Sequence, residues 1–517
     1  MSLALSAVPD HPGVIEVPLP DLAQTHLLAE ALTPWLAAGD TLALSGDLGA
    51  GKTEFARALI RALAGDPDTE VPSPTFSLLL PYDLPRGRVV HADLYRVEDP
   101  EELEEIGWQD AIEDAVLIVE WPERAPDHIP NTRLDIILEL APDIGAGARR
   151  AYLVGRGPFA ERLERFEAAE RLIEESGFGA AARRYMQGDA SSRSYARLVL
   201  PDRSAVLMNA PRRPDGPPVK RGLPYSRLAH LAEDVSAFVA VGEGLRAQGF
   251  SAPEIYGADL DRGLLILEDL GGEGVIEGSP PEPIRARYEA AVKVLAALHG
   301  RRLPSVLPVV RGRDYELPSY DMDALLIEVE LMLDWYLPFR QVSIDQVVRE
   351  EFMMLWRNAL GSVQADAQTW VLRDYHSPNL IWLEDREGLA KVGLIDYQDA
   401  VMGPAAYDVA SLAQDARLDI PESLELHLVG QYVRHRRGED PTFDARGFAY
   451  LYALMGAQRA TKILGIFARL DQRDGKPHYL RHLPRIRRYL TRCLGHPDLG
   501  SLRMWYEAVL PSKDFQS

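Results

Sequence analysis

The sequence predicts an α/β domain built on a phosphate-binding glycine loop, followed by a bilobal α+β domain. Three observations predict it. The stretch SGDLGAGKT (45–53) fits G-x-x-x-x-G-K-[ST] and lies between a strand-like and a helix-like run. Short apolar runs alternate with helical patterns through about residue 155, as in a mainly parallel or mixed sheet flanked by helices. From about residue 178, strand-like runs come first and long helical patterns then dominate, the order of a small strand-rich lobe and a larger helical lobe. A length of 517 residues allows about two to four domains.

In the first part a strand over 41–45 enters the glycine loop and a helix over 52–63 leaves it. Further strands are expected at 77–80, 88–95, 115–120 and 133–140. PDIGAGARR (142–150) is turn-rich, and FAERLERFEAAERLIEESG (159–177) has a helical period. These features place one domain over 1–155, a helical linker over 156–177 and a second domain over 178–517. In that second domain strands are expected at 193–200, 204–210 and 264–270, within a small lobe of about 178–272. Helices follow at 281–300, 321–337, 345–367, 407–418, 421–437 and 445–469, within a helical lobe of about 273–517. The Pro/Gly-rich run 211–224 reads as a loop.

The apolar fraction of 46% suits full-sized cores, and the net charge of −22 disfavours direct binding to nucleic acid, which needs a basic surface. The basic runs RHRR (434–437) and RIRRYLTR (485–492) read as solvated helix faces. Cys493 is the only cysteine, which excludes an intrachain disulfide and suits a reducing compartment. The N-terminal residues lack the pattern of a secretion signal, and no run of about 18 apolar residues occurs. A cytoplasmic location is expected, with no membrane partner.

Gly46, Gly49 and Gly51 allow backbone N–H groups to converge on the β- and γ-phosphates of ATP. Lys52 adds a point charge, Thr53 offers a hydroxyl to Mg²⁺, and the helix that follows aims its positive end at the anion. Such a site needs a further acid. AVLIVE ends in Glu120, and RVVHADLY carries Asp93; either can hold the metal or orient water. The motifs SGDLGAGKT, VPSPTF (71–76), HADLYR (91–96) and VEWPER (119–124) closely resemble TsaE, the small ATPase of bacterial threonylcarbamoyladenosine formation in tRNA. The resemblance covers about 155 residues. It implies that Ser73, Pro74 and Thr75 form a switch-like loop near the phosphates, that Asp93 and Glu120 are the functional acids, with Asp93 catalytic and Glu120 at the metal, and that Trp121 is the accompanying aromatic. It also implies partners of the TsaB and TsaD kind.

In RDYHSPN, Asp374 and Asn379 stand five apart, and Asp396 follows 17 residues later at the end of the apolar run KVGLID. In protein kinases and aminoglycoside phosphotransferases such a trio supplies a base for the acceptor hydroxyl and two ligands for Mg²⁺. With LIDYQDAVMGPAAYDVASL (394–412), it resembles the aminoglycoside phosphotransferase family. The expected fold is thus an α/β P-loop domain followed by a bilobal kinase-like, aminoglycoside phosphotransferase-like, α+β domain. GDASSRSYARLVL (188–200) resembles the nucleotide-loop hairpin, with Ser191, Ser192 and Arg193 at its turn. LILEDLGG (265–272) resembles the hinge, where backbone from Glu268 to Leu270 would meet adenine. Two positions depart from the kinase pattern. Leu372 stands where kinases usually carry His, and Met208 stands where a strand lysine pairs with the phosphates. Arg193, Arg197, Arg212 or Lys220 could supply the missing charge.

The combination of VLMNAP, EDLG, SYDMDALLIEVELMLDWYL (319–337) and RDYHSPNLIWL is most similar to the AmgK branch of that family. Those enzymes phosphorylate the anomeric hydroxyl of N-acetylmuramate and N-acetylglucosamine in cell-wall sugar recycling. The resemblance spans about 178–510 and implies an amino-sugar substrate near Glu330, Asp334, Trp335, Tyr336, Arg373 and Tyr407. The expectation is therefore a bifunctional chain, an ATPase joined to an ATP-dependent sugar kinase. The alternatives are another small alcohol or aminoglycoside as acceptor, or a non-catalytic lobe that gates the first domain.

Overall fold

Strand β3 (Thr41–Ser45) and strand β6 (Val116–Glu120) are mostly apolar and almost wholly buried, as central parallel strands are when both faces are covered. They lie side by side in a computed structural model that describes the chain apart from residues 1, 10, 187–192, 213–214, 310–311, 362, 364–367 and 511–517. The chain forms two compact units: residues 1–211 with 255–269, and residues 212–254 with 270–517.

The first unit contains two sheets. The larger has eight strands and adds β1 (Ser6–Ala7), β2 (Val14–Leu19), β4 (Leu79–Leu84), β5 (Gly87–Asp93), β7 (Arg133–Leu140) and β8 (Arg149–Arg156) to the central pair, in the order β1-β2-β8-β7-β3-β6-β5-β4. β3 runs parallel to β6 and β7, and β5 runs parallel to β6. The remaining pairs are antiparallel, so the sheet is mixed. Helix α1 (Leu22–Leu32) follows β2, and helix α2 (Lys52–Ala64) leaves the glycine loop.

Helix α3 (Phe159–Glu175) occupies the stretch expected as a linker and leads to the second, five-stranded sheet. That sheet consists of β9 (Ala182–Met186), β10 (Ser194–Val199), β11 (Ser204–Asn209), β12 (Ile255–Asp259) and β13 (Leu264–Glu268), all antiparallel, in the order β12-β13-β11-β10-β9. α3 packs against β8 of the large sheet and β12 of the small one. Leu163, Phe166, Ala169 and Ile173 of α3 share one hydrophobic core with Leu28 of α1, Leu153 of β8, Leu198 of β10 and Leu207 of β11.

The second unit is mostly helical. Its main helices are α4 (Ser236–Ala247), α5 (Arg285–His299), α6 (Met322–Leu331), α7 (Gln346–Leu360), α8 (Ala406–Ala413), α9 (Glu422–Glu439), α10 (Ala445–Gln472), α11 (Leu483–Leu494) and α12 (Gly500–Val509). Short strands β14 (Gln368–Val371), β15 (Leu380–Trp382), β16 (Val392–Leu394) and β17 (Val401–Pro404) carry the RDYHSPN and LIDYQDA loops. The helix expected over 321–337 is interrupted. After α6 the chain makes a π-turn at Met332–Tyr336 and a last short turn at Leu337–Phe339. Pro338, which has no N–H to give to the preceding turn, sits at this break. Among the described residues no helix is long and apolar enough to cross a membrane.

α3 approaches β8 closely at Gly155, where a Cβ would lie 2.6 Å from Ala160 Cα and 2.7 Å from its nitrogen. Those neighbours are backbone and cannot rotate away. Gly155→Ala is therefore expected to destabilise the first unit by about 1–3 kcal/mol, the usual cost of overpacking. A lowered urea midpoint checks this, and an unchanged midpoint would show that α3 can shift freely.

Candidate active sites

The glycine loop turns back over the end of β3. Gly46, Gly49 and Gly51 have φ of 136°, 84° and 105°, a region that costs glycine little and other residues much. Gly46 is also tied by space, since a Cβ there would lie 2.2 Å from the Leu138 carbonyl oxygen. Lys52 Nζ donates to the Gly46 and Asp47 carbonyls at 2.6 and 2.9 Å. It lies 3.6 Å from the centre of the Trp121 ring. Burial holds the Lys52 pKa below its ordinary value, against the pull of Glu120 and other nearby acids. Arg149 of β8 clasps the loop from outside, with Nη2 donating to the Gly49 carbonyl and Nε to the Ala50 carbonyl, both at 3.2 Å.

Both acids singled out from the sequence stand at strand ends beside this loop. Glu120 ends β6 and is 1% exposed. It accepts a 2.8 Å hydrogen bond from Thr53 Oγ1 and shares a 2.9 Å one with buried His91 Nε2. Asp93 ends β5 and accepts from Thr75 Oγ1 at 2.9 Å and from the Tyr95 N–H at 3.0 Å. Ser73 and Thr75 share a hydroxyl–hydroxyl bond of 2.7 Å. The structure thus brings Lys52, Thr53, Thr75, Asp93, Glu120 and Trp121 into one cluster. Sequence reasoning missed His91 and Arg149. His91 lies within the HADLYR motif at an inward strand position, a signal that could have marked it.

In the second unit, β14 ends at Val371 and the chain turns sharply through Arg373, whose φ is 64°. Asp408 of α8, fully buried, fixes that turn by accepting the Leu372 and Arg373 N–H groups at 2.7 and 2.9 Å. Ser411 Oγ donates to the Arg373 carbonyl at 3.2 Å. Asn379 Nδ2 donates to the Asp374 carbonyl at 2.9 Å and to Asp396 Oδ2 at 3.4 Å. Gln398 Nε2 holds the other Asp396 oxygen at 3.0 Å. Asp374, Asn379 and Asp396 line a common small cavity with Tyr375 and Tyr397. Burial raises the Asp374 pKa, but His376, Lys462, Arg373 and Arg459 outweigh it and hold the group below its ordinary value. Asp374 is therefore a carboxylate at neutral pH. Among the described residues no side chain hydrogen-bonds or ion-pairs with its carboxylate.

Asn379 and Asp396 present the amide and carboxylate oxygens that suit Mg²⁺, which commonly takes one or two protein ligands and completes its shell with phosphates and water. Among the described residues no group of three or more His, Cys, Asp or Glu is arranged to hold a metal.

The remaining sequence-based candidates are dispersed. Arg373 is 2% exposed; its guanidinium pairs with buried Glu328 and donates to the Ala229 carbonyl. It braces the loop from inside and is not offered to a ligand. Tyr407 is likewise buried, with its hydroxyl accepting from Lys462 at 3.3 Å. Glu328 and Lys462, 2.7 Å apart, are unmarked by any local pattern. Glu330 binds Lys220 at 2.6 Å and Arg349 at 2.7 Å, while Asp334 pairs with Arg349 at 2.9 Å. Trp335 is half-buried in the π-turn. In the first unit Glu268 is half-buried at the end of β13, and Arg193 is half-buried just before β10. Leu270 in the second unit is half-buried. Ser191 and Ser192 lie outside the described residues. Met208 is buried in β11, and three of the substitute cations are already paired: Arg197 with Asp269, Arg212 with Glu233, and Lys220 with Glu330.

Comparison with known proteins finds two family regions in the chain, whose boundary differs from that between the two compact units. The family of threonylcarbamoyl adenosine biosynthesis protein TsaE matches residues 19–148, and the phosphotransferase enzyme family matches residues 183–446. The N-acetylmuramate/N-acetylglucosamine kinase of Caulobacter vibrioides is 38% identical over 361 residues, which is 67% of this chain and 97% of the relative. The protein of the same name from Pseudomonas aeruginosa is 33% identical over 61% of this chain and 84% of the relative. The tRNA threonylcarbamoyladenosine biosynthesis protein TsaE of Rickettsia bellii is 36% identical over 120 residues, 23% of this chain and 83% of the relative.

Burial lowers the pKa of His376, two residues beyond Asp374, to about 4 despite the opposing pull of Asp415 and Asp374. The unfolded chain protonates this residue near its ordinary value of about 6.5. Its contribution to stability is therefore complete above about pH 6.5 and is lost as the pH falls towards about 4. His482, also lowered to about 4 by burial, acts in the same direction. The urea midpoint of the native chain is expected to fall across this window. His376→Gln should flatten the fall by a few kcal/mol; a slope identical to wild type would contradict a neutral, buried imidazole.

Proposed function

Because residues 183–446 belong to the phosphotransferase enzyme family and residues 19–148 to the TsaE family, we propose that this chain joins two ATP-using activities. The second is a kinase that transfers the γ-phosphoryl group of ATP to the anomeric hydroxyl of N-acetylmuramate or N-acetylglucosamine, in the recycling of cell-wall sugars. The observation that carries this reading is the convergence of Asp374, Asn379 and Asp396 on one cavity, in a chain that covers 97% of a kinase with that name.

Phosphoryl transfer leaves a protein little covalent work, so rate comes from alignment and charge neutralisation. Asp374 receives the hydrogen bond of the sugar C1 hydroxyl and takes its proton as the oxygen approaches phosphorus. The new bond joins O1 to the γ-phosphorus, the bond from that phosphorus to the β–γ bridging oxygen breaks, and ADP leaves. Asn379 and Asp396 would hold Mg²⁺, which when bound offsets phosphate charge. Asp408 and Ser411 keep the base in place through the backbone of residues 372 and 373.

The first activity is ATP hydrolysis in tRNA threonylcarbamoyladenosine formation, with TsaB- and TsaD-like proteins as partners in the cytoplasm. Gly46, Gly49, Gly51 and Lys52 hold the phosphates, with Thr75 nearby. Thr53 and Glu120 would hold Mg²⁺, and Asp93 orients the attacking water. Thr53 and Glu120 are already joined at 2.8 Å, a spacing that supports a shared ion. Lys52 has to leave the Gly46 and Asp47 carbonyls to reach a phosphate.

Asp374→Asn keeps the shape and removes the proton acceptor. Its kcat is expected to fall by about 10²-fold or more, with ATP affinity little changed, measured as sugar 1-phosphate formed by the full chain. Wild-type turnover in this variant, or failure of the native chain to phosphorylate either sugar at C1, would remove the kinase assignment. At the first site, Glu120→Ala is expected to weaken Mg²⁺-dependent nucleotide binding, while Asp93→Ala slows hydrolysis more than binding. Equal effects of both on binding would assign Asp93 to the metal instead.

A further inference from the structure

The TsaE-like residues and the small sheet that begins the kinase domain do not have separate cores. Buried residues of α1, α2, β3, β7 and β8 form a continuous cluster with Ala196, Leu198, Ala205, Leu207, Leu264 and Ile266 of the five-stranded sheet. Strand β9, at the edge of that sheet, is gripped by three elements of the preceding domain. α1 packs against it. Arg86, in the turn between β4 and β5, stacks over Tyr185 at 3.6 Å. Glu170 of α3 makes a buried ion pair with Arg183.

Two of these elements, α1 and the β4–β5 hairpin, also reach the P-loop. The first turn of α1 lines a cleft beside the loop, where Asp21, Leu22 and Thr25 face Ala50, Gly51, Glu54 and Arg149. His26 of α1 is hydrogen-bonded at 3.2 Å to Glu54, in the first turn of the P-loop helix. One turn on, Glu30 lies among His26, Arg183 and Arg184, so α1 meets α2 through His26 and β9 through Glu30. The β4–β5 hairpin ends at Asp93, which holds Thr75, and turns at the residue that stacks on β9.

We propose that nucleotide bound at the P-loop is coupled to ATP binding by the kinase domain through α1, the β4–β5 hairpin and strand β9. This proposal rests on the reading of the two sites given above. The physical basis is that a nucleotide must change what these elements touch. Its phosphates compete with the Gly46 and Asp47 carbonyls for Lys52, and the cleft beside the loop is walled by α1 itself. A ligand shifts an equilibrium only by such differential contacts. α1 cannot move alone, because its buried side of Leu28, Ala29 and Leu32 belongs to the core under β10 and β11. P-loop occupancy orders α1 and β9 together and so tightens ATP binding by the sheet that β9 borders. Coupling of this kind is reciprocal and typically amounts to a factor of about 5–150.

The test uses the full-length chain. In Asp396→Ala, whose kinase site lacks a metal ligand, Mg-ATP is titrated and hydrogen exchange is followed at 46–53, 182–186 and 194–199. The expected result is slowed exchange in all three segments with a common midpoint. Protection of 46–53 with no change in the two strands overturns the coupling. No protection anywhere overturns the P-loop reading and the coupling with it. Independently, Lys52→Ala in the otherwise native chain is expected to raise KM for ATP in sugar phosphorylation by about threefold or more, with kcat changed less than about twofold. An unchanged KM also overturns the coupling. Absence of sugar phosphorylation in the native chain instead removes the kinase reading, and the exchange experiment then decides the coupling alone.

Discussion

Helix α3 has to satisfy two sheets at once, and the arrangement of the whole first unit depends on it. Its apolar positions Phe159, Leu163, Phe166, Ala169 and Ile173 recur at helical spacing and are buried, which for a surface helix would cover one sheet only. Glycines let it approach both. Gly155 admits it on the β8 side, and on the β12 side a Cβ at Gly257 would lie 2.4 Å from Ser176 Oγ and 3.0 Å from a Leu172 methyl. Glu170 adds a charge between the layers, and Arg183 of β9 is its partner. A buried ion pair contributes little net stability, yet losing one member strands the other in a poor solvent. That asymmetry fixes which strand lies against α3 more firmly than apolar packing, which tolerates sliding.

The two sites solve one electrostatic problem differently. A phosphate needs fixed positive poles, and an acid beside it must remain charged. The P-loop supplies backbone N–H groups, the end of α2 and one lysine, with carboxylates in the second layer. Around Asp374 the charge is arranged from the acid side. Glu328 balances Arg373 and Lys462 behind Asp374. Burial alone would push Glu328 up, but Lys462, Arg373 and the Tyr320 hydroxyl bring it down to about 2. A fully ionised Glu328 therefore keeps two cations in place behind Asp374, and with His376 their field holds that carboxyl below its ordinary range.

Features that are local in the chain were legible in the sequence. The glycine loop, the acids ending β5 and β6, and the Asp374–Asn379–Asp396 spacing are each specified within a few residues. What was hidden depends on distant partners. β9 reads ARRYM, a sequence with little strand character, and forms because β10, α1 and α3 surround it. The 156–177 stretch looks like a linker because its period reveals a buried stripe and not how many surfaces the stripe meets. Arg373 and Tyr407 looked available to a sugar because charge and aromaticity suit one; their buried partners Glu328 and Lys462 lie 45 and 55 residues away in the chain. The break in the helix at Met332–Tyr336 had a local signal in Pro338, which the strong apolar period masked.

Both sites also place non-glycine residues in left-handed backbone conformations at strand ends. Trp121 follows β6 with φ 59°, Arg373 follows β14 with φ 64°, and Asp396 follows β16 with φ 59°. Each costs on the order of 1–3 kcal/mol and persists only where its surroundings over-determine it. The surroundings here are visible. The Trp121 N–H is bonded to the Leu44 carbonyl at 3.1 Å and its ring lies under Lys52. Arg373 is held by Asp408, Ser411 and Glu328. Asp396 is held by Asn379 and Gln398. A strand end offers a rigid origin, and a left-handed turn directs the next side chain out of the sheet where a right-handed one would continue along it. Strain at these three positions is thus the cost of directing a ring under the P-loop lysine and carboxylates into the second cavity from strand ends.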